Sequence, residues 1–195
     1  MKKIEQTEPQ HAEMGPGTAG RGRKVLVTGP ESTGKTDLCR FLAGHFNGLM
    51  VPEYARTYIE NLKRPYRYAD VCAIAREQRL QYDALQDTGS WIFFDTWLII
   101  TRVWMDVVYG KVPRWVDGEI RKARFDLVLV CAPDIPWIPD PVRENGGPER
   151  QLLYRRYIRE VEQLEWKYRI VDGTGEERLR NALRILQEDR GLPDF

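Results

Sequence analysis

The strongest restriction on the fold comes from residues 29–36, which read GPESTGKT and match the pattern GxxxxGK[ST]. In this pattern the glycines allow backbone N–H groups to wrap around phosphates, and the N-terminus of the next helix adds a partial positive charge. Lys35 is placed to reach the β- and γ-phosphates of a nucleotide, and the Thr36 hydroxyl is placed to ligate Mg²⁺. The sequence therefore predicts a site for a nucleoside triphosphate. The nucleotide-binding residues are Gly29, Pro30, Glu31, Ser32, Thr33, Gly34, Lys35 and Thr36.

Short apolar strands alternate with helices along the rest of the chain. Strands separated by helices indicate a parallel sheet that is covered on both faces. We therefore expect an α/β protein with the three-layer fold of P-loop NTPases: a five-stranded parallel sheet, helices on both faces and an arginine lid. The strands are predicted at residues 25–27, 49–51, 91–94, 126–130 and 169–171.

The balance of charge and the cysteines exclude several classes of protein. Among 195 residues, 30 are lysine or arginine and 29 are aspartate or glutamate, so a net charge of +1 argues against a surface that coats nucleic acid. No apolar stretch is long enough to cross a bilayer. The three cysteines, Cys39, Cys72 and Cys131, are an odd number, lie far apart in sequence and form no CxxC or Cys/His cluster, so the sequence suggests neither a disulfide framework nor a zinc site. We expect a cytoplasmic protein without a nucleic-acid or membrane partner, and the sequence predicts no oligomeric state.

Three carboxylates follow predicted strands. Glu53 follows the second strand, Asp95 the third and Asp172 the fifth. In a parallel sheet, ligands bind outside the carboxyl ends of the strands. Asp95 is suited to hold Mg²⁺ or to take a substrate proton, and either Asp95 or Glu53 is the candidate base. Asp172 lies in a turn between a strand and a helix, where it either contacts the nucleotide or is an ordinary turn residue. Arg56 lies three residues after Glu53, one helical turn away if a helix begins there.

Two arginines are candidates for a lid over the nucleotide. Arg143 lies in a connection rich in proline and glycine, at residues 137–147. Arg150 lies at the start of the next helix, within its apolar stripe. A phosphate in a closed state would satisfy the charge of Arg150. The alternative is that the Arg150 side chain extends around the helix end into solvent.

Two further side chains are candidates for binding the acceptor. Gln78 lies at the centre of an apolar helix stripe, where its amide must be satisfied. It binds either a substrate base or amide, or a neighbouring group of the protein. Trp97 follows Asp95 by two residues and is the tryptophan best placed to stack on a ring.

The motifs favour one class of P-loop protein over two others. A regulatory GTPase would need an NKxD motif, which is absent, and a DxxG motif after the third strand, where residues 95–98 read DTWL. An AAA+ mechanical ATPase would need Asp-Glu where the chain has Asp95-Thr96. A small-molecule kinase needs only five strands, a P-loop, a substrate pocket after the second and third strands and an arginine lid. The length of this chain and the order of its elements suit that class. We expect a flexible leader at residues 1–22 and a P-loop kinase domain at residues 23–195. The other hypotheses are a kinase for another nucleoside or nucleotide, and an ATP-binding regulatory module with slow ATPase activity.

The P-loop sequence, the run Glu53-Tyr54-Ala55-Arg56 and the run FFDT at residues 93–96 resemble the ribosylnicotinamide kinase domain of bacterial NadR-type proteins. The resemblance covers about residues 24–186. It implies that ATP and Mg²⁺ serve to phosphorylate the 5′-hydroxyl of nicotinamide riboside, a step of NAD biosynthesis that gives nicotinamide mononucleotide. The small-molecule nucleoside would then contact Glu53, Tyr54, Arg56, Gln78, Asp95 and Trp97.

The same resemblance implies roles for individual residues. Lys35 would bind phosphate, Asp95 and Glu53 would serve as metal ligand or base, and Arg143 and Arg150 would belong to the lid. Full-length members of the family carry an adenylyltransferase domain with an HxGH motif, which these 195 residues lack. We therefore expect that this chain does not itself complete NAD.

Overall fold

In a computed structural model, which describes residues 23–85, 89–137 and 147–189, the chain forms one parallel sheet between two layers of helices. The sheet order is β2-β3-β1-β4-β5, and every neighbouring pair of strands is parallel. The predicted α/β fold with five parallel strands is confirmed. The strands are β1 (Lys24–Thr28), β2 (Leu49–Val51), β3 (Ile92–Asp95), β4 (Leu127–Cys131) and β5 (Tyr168–Val171).

The two faces of the sheet have separate cores because side chains alternate along each strand. Val25 and Val27 of β1 pack against α1 and α7, whereas Leu26 packs towards α3, α4, α5 and α6. Helix α2 packs against α3. The sequence did not predict α5, which buries only Val116 and Ile120. The helices are α1 (Lys35–His45), α2 (Tyr54–Asn61), α3 (Tyr68–Asp83), α4 (Leu98–Tyr109), α5 (Arg114–Lys122), α6 (Gly147–Gln163) and α7 (Gly175–Asp189).

All five strands point the same way, so their carboxyl ends lie at one edge of the sheet, where such folds bind ligands. The leader predicted at residues 1–22 and Arg143 of the predicted lid lie outside the described residues. Within the three described segments, no helix combines the length and the hydropathy needed to cross a membrane.

Candidate active site

The phosphate-binding loop joins the end of β1 to the start of α1. Gly29 has a φ of +136°, and a Cβ there would lie 2.7 Å from the carbonyl oxygen of Cys131, so only glycine fits. Ser32 has a φ of 53°, which is uncommon for a residue other than glycine. The Thr33 hydroxyl donates to the Pro30 carbonyl at 2.9 Å and closes the turn. This constrained loop, followed at once by a helix N-terminus, is the geometry of an anion cradle.

Two buried arginines hold the backbone of this loop. Arg150 of α6 donates from Nε to the Glu31 carbonyl at 2.9 Å and from Nη2 to the Ser32 carbonyl at 2.6 Å. Arg178 of α7 donates from Nη1 to the Thr33 carbonyl at 3.0 Å. Because three successive carbonyl groups bind guanidinium groups, the loop conformation is held in place.

Arg178 also joins the loop to two other segments at this edge of the sheet. It is only 2% exposed, and it donates from Nε to the Gly173 carbonyl at 2.8 Å and from Nη2 to the Ala132 carbonyl at 3.0 Å. A further bond goes to the Asp134 carboxylate. The sequence reasoning missed Arg178. The available signal was its position four residues before the buried Ala182, on the inward side of α7.

Arg150 has different partners from those that the sequence predicts. Its side chain does not extend into solvent, since the residue is 6% exposed. Its guanidinium binds backbone carbonyl groups rather than being kept for a phosphate, because Nη1 also donates to the Ile135 carbonyl at 2.7 Å. The reason is that the start of α6 packs directly behind the phosphate loop, within reach of its carbonyl groups. Arg150 therefore positions the loop.

Thr36 and Asp95 lie in contact at the carboxyl end of β3. The Thr36 hydroxyl donates to Asp95 Oδ2 at 2.6 Å, whereas Oδ1 is buried and has no hydrogen-bond partner in the described part of the chain. Burial raises the pKa of Asp95, and the Thr36 hydrogen bond and Lys35 oppose that effect. Thr96 follows with a φ of 64°, a rare value for a β-branched residue. A partnerless carboxylate oxygen beside a loop hydroxyl fits Mg²⁺, which prefers oxygen ligands.

Glu53 lies at the N-terminus of α2 and lines a cavity together with Lys35. Burial raises the pKa of Glu53; the Lys35 charge lowers it and the Asp95 charge raises it. A carboxylate with a raised pKa is a stronger proton acceptor than an ordinary glutamate. Lys35 itself donates from Nζ to the Pro30 carbonyl at 2.7 Å. The acid and the lysine thus share the space beside the phosphate loop.

This cavity has a volume of about 510 Å³, which suits a nucleoside-sized molecule. Part of its wall is the phosphate loop and another part is aromatic. The rings of Tyr66 and Trp104 meet edge to face, with 4.8 Å between their centroids. Arg64 lies nearby and is held by two hydrogen bonds to Asp70, at 2.7 and 2.8 Å. The other lining residues include Arg56, Ile100, Val103, Val107, Leu153 and Tyr157.

Two residues predicted to bind the acceptor lie in the core instead. Trp97 is 2% exposed, and its Nε1 donates to the Gln78 carbonyl at 2.9 Å. The Gln78 side chain accepts a hydrogen bond from the Thr101 hydroxyl at 2.6 Å, so its amide oxygen binds a neighbouring group. Neither residue lines the cavity, and Trp104 is the tryptophan that does. Helix α4 is apolar on nearly all sides, so its sequence alone did not indicate which face lines a ligand site.

Of three other residues predicted to bind a ligand, one lines the cavity and two do not. Arg56 lines the cavity, whereas Tyr54 and Asp172 do not. Tyr54 packs beside Tyr58 on α2, with 6.0 Å between ring centroids. Asp172 is exposed and accepts a hydrogen bond from Asn181 Nδ2 at 2.9 Å. Its position gives no direct support for a contact with the nucleotide.

A second cavity, of about 710 Å³, lies at the opposite end of the sheet, next to residues that precede β4 and β5. Arg102 in its wall is already paired with Asp117 at 2.8 Å and with Glu160 at 2.7 Å. This cavity contains neither the phosphate loop nor the acids at the strand ends, so the chemistry favours the smaller cavity as the active site.

A family model for an AAA domain matches residues 24–178 of the chain. Two curated relatives are each named trifunctional NAD biosynthesis/regulator protein NadR. The protein of Salmonella typhimurium is 27% identical over 145 residues, and that of Escherichia coli is 28% identical over 149 residues. The alignments cover 71% and 73% of this chain but only 35% and 36% of the relatives. The chain therefore spans about a third of the length of the curated relatives it matches.

Solved structures are similar as well. A NadR protein in complex with NR has a TM-score of 0.74 and 27% identity, with 91% of this chain and 54% of that chain covered. Thymidylate kinase from Ehrlichia chaffeensis has a TM-score of 0.62 at 10% identity, with 87% of this chain and 99% of that chain covered, which shows the fold alone. The resemblance to NadR-type proteins is thus confirmed, and the fold is that of P-loop kinases.

Proposed function

We propose that this chain, which belongs to the AAA domain family of P-loop proteins, is an ATP-dependent kinase that phosphorylates the 5′-hydroxyl of nicotinamide riboside. The observation that carries the proposal is the composition of one cavity. The phosphate loop, Glu53 with its raised pKa and the Tyr66–Trp104 pair all line the same space of about 510 Å³. A phosphate cradle, a base and an aromatic platform are what a nucleoside kinase needs. The similarity to a NadR protein in complex with NR supports nicotinamide riboside as the acceptor.

Glu53 is the base in this proposal. Its carboxylate takes the proton of the 5′-hydroxyl, and the freed oxygen forms a bond to the γ-phosphorus. The bond from that phosphorus to the bridging oxygen of the β-phosphate breaks, so ADP leaves and nicotinamide mononucleotide is the product. Lys35 stabilises the charge that develops on the phosphoryl oxygens, and such preorganised electrostatic stabilisation is the main contribution to catalysis of this reaction.

Thr36 and Asp95 are the residues that would hold Mg²⁺, since they are already in contact and Asp95 Oδ1 has no partner among the described residues. When bound, the ion would neutralise negative charge on the phosphates. With Asp95 assigned to the metal, Glu53 is left as the acid that takes the proton.

A panel of acceptors tests the reaction. ADP release from ATP-Mg²⁺ is measured with nicotinamide riboside, with other ribosides and deoxyribosides, with nucleoside monophosphates and without an acceptor. We expect nicotinamide riboside to give the largest stimulation, and mass spectrometry to detect nicotinamide mononucleotide. Preference for another nucleoside would move the assignment to a different kinase. ADP release that no acceptor stimulates would favour a regulatory ATP-binding module.

Glu53→Gln is expected to lower kcat by about 100-fold or more and to leave ATP affinity nearly unchanged, because a general base contributes about 10²–10⁴-fold. In the wild type, the acidic limb of the kcat/KM profile should lie above the ordinary glutamate range, in the direction of the raised pKa. The folded chain holds this proton more tightly than the unfolded chain, so ionisation of Glu53 lowers stability as the pH rises. The variant should therefore unfold at a higher temperature at pH 7.

The control for this variant is Glu188→Gln, an exposed acid on α7 that does not line the cavity. It should leave the kcat/KM profile unchanged. Equal losses of kcat and of ATP affinity in Glu53→Gln would remove Glu53 from the role of base.

Trp104→Leu is expected to raise the KM for the riboside, since leucine keeps apolar packing but removes the ring face. Stacking of a base on an aromatic side chain contributes about 1–3 kcal/mol, which corresponds to roughly 5- to 150-fold. ATP affinity should change little. Trp97→Leu, in the core, should instead lower the melting temperature, and an unchanged riboside KM in Trp104→Leu would show that the ring binds elsewhere.

A further inference from the structure

Tyr157 of α6 is a buried polar side chain to which the mechanism above gives no role. It is 6% exposed and lines the cavity beside the phosphate loop. In the described segments, no residue forms a hydrogen bond with its hydroxyl. The ring is buried, but the hydroxyl oxygen is not among the buried atoms that lack a partner, so it reaches the space of the cavity, where an oxygen of a bound ligand can accept its hydrogen bond.

The position of Tyr157 on α6 directs its hydroxyl to the phosphate end of the cavity. Arg150, Leu153 and Tyr157 are spaced three and four residues apart, so they share one face of the helix. Arg150 binds the carbonyl groups of the phosphate loop, and Leu153 lines the cavity. Long side chains in a helix point back towards its N-terminus, which here is the end that contacts the loop.

The charges around Tyr157 favour a neutral donor at this place. Burial raises the pKa of the Tyr157 phenol, and the carboxylates of Glu31 and Glu53 raise it further. The hydroxyl therefore keeps its proton and can donate. The same two carboxylates repel the phosphates of a nucleotide, and a neutral O–H donor near them offsets part of that repulsion.

We propose that the Tyr157 hydroxyl donates a hydrogen bond to a γ-phosphoryl oxygen of the bound nucleotide. This makes Tyr157 a part of the site that distinguishes a triphosphate from a diphosphate. The inference rests on the proposed function only in requiring ATP as the phosphoryl donor, and it does not depend on which acceptor is used.

The test compares two nucleotides in the absence of an acceptor. Dissociation constants of Tyr157→Phe for ADP and for the non-hydrolysable triphosphate AMP-PNP are measured by calorimetry with Mg²⁺. We expect the AMP-PNP constant to rise about tenfold, the effect of one hydrogen bond to a charged group, and the ADP constant to stay within about twofold. The ligand-free melting temperature should stay close to that of the wild type, because the hydroxyl has no hydrogen-bond partner among the described residues to lose.

Tyr154→Phe is the matched control, since Tyr154 is a half-buried tyrosine one turn earlier on α6 that does not line the cavity. Both of its dissociation constants should equal those of the wild type. An unchanged AMP-PNP constant in Tyr157→Phe overturns the proposal, and so does an equal rise for both nucleotides or a fall in melting temperature, which would indicate a structural role. If no riboside is phosphorylated, the proposed acceptor fails while this comparison still decides the role of Tyr157.

Discussion

Lys35→Ala is expected to lower kcat by at least about 100-fold, since removing one preorganised donor from a charge-stabilising site costs about 10²–10³ in rate. Lys35 follows Gly34 at the start of α1, and its Nζ lies 2.7 Å from the Pro30 carbonyl, within the loop that would hold the phosphates. Its charge is also among those that lower the pKa of Glu53 and of Asp95. The variant would thus lose the proposed phosphate contact and a balancing charge together.

The measurement is steady-state ADP release with the preferred acceptor, together with thermal unfolding. Lys122→Ala serves as the control because Lys122 is an exposed lysine on α5 whose side chain is 74% exposed. The melting temperature of Lys35→Ala should stay close to that of the wild type. A folded Lys35→Ala protein with kcat within tenfold of the wild type would refute phosphoryl transfer at this loop.

Arg178→Met is expected to lower both stability and nucleotide affinity. Methionine keeps much of the apolar volume, but the carbonyl groups of Thr33, Gly173 and Ala132 lose their donors. Each buried acceptor left unsatisfied costs about 1–3 kcal/mol, so a total loss of about 3 kcal/mol or more is expected. Since the loop then loses its support from α7, the affinity for ATP should fall about tenfold or more.

Arg180→Met is the control for this prediction. Arg180 lies two residues further along α7, and its side chain is 70% exposed. An exposed ion pair of this kind contributes little, about 0–1 kcal/mol. Chemical denaturation and calorimetry with AMP-PNP measure the two effects. If Arg178→Met binds AMP-PNP as tightly as Arg180→Met does, the arginine supports only the fold and not the phosphate loop.

The architecture could be predicted from the sequence because its signals are local. Each strand is a short apolar run, and the phosphate loop is an unbroken motif of eight residues, 29–36, between a strand and a helix. Helix α5 was missed although Trp115, Val116 and Ile120 give it an apolar side that packs against the core. It has only nine residues, with Gly118 near its middle, so the helical pattern is short and was overlooked.

The site could be predicted in part, because strand direction places the residues that follow strands at one edge. That rule correctly placed Glu53 at the cavity and Asp95 beside Thr36. It also selected Asp172, which is exposed and bound to Asn181. The rule predicts the edge of the sheet, but the direction of a side chain at that edge depends on what packs around it.

The sequence by itself determined the parallel sheet, the phosphate loop and the two acids that accompany it, since these depend on neighbouring residues and on strand direction. Only the tertiary structure decided that Trp104 lines the cavity while Trp97 lies in the core, and that Arg150 and Arg178 hold the loop. These two arginines are 119 and 145 residues away from the loop carbonyls they bind. Contacts over such distances follow from how helices pack on the sheet, and no local pattern of residues encodes that packing.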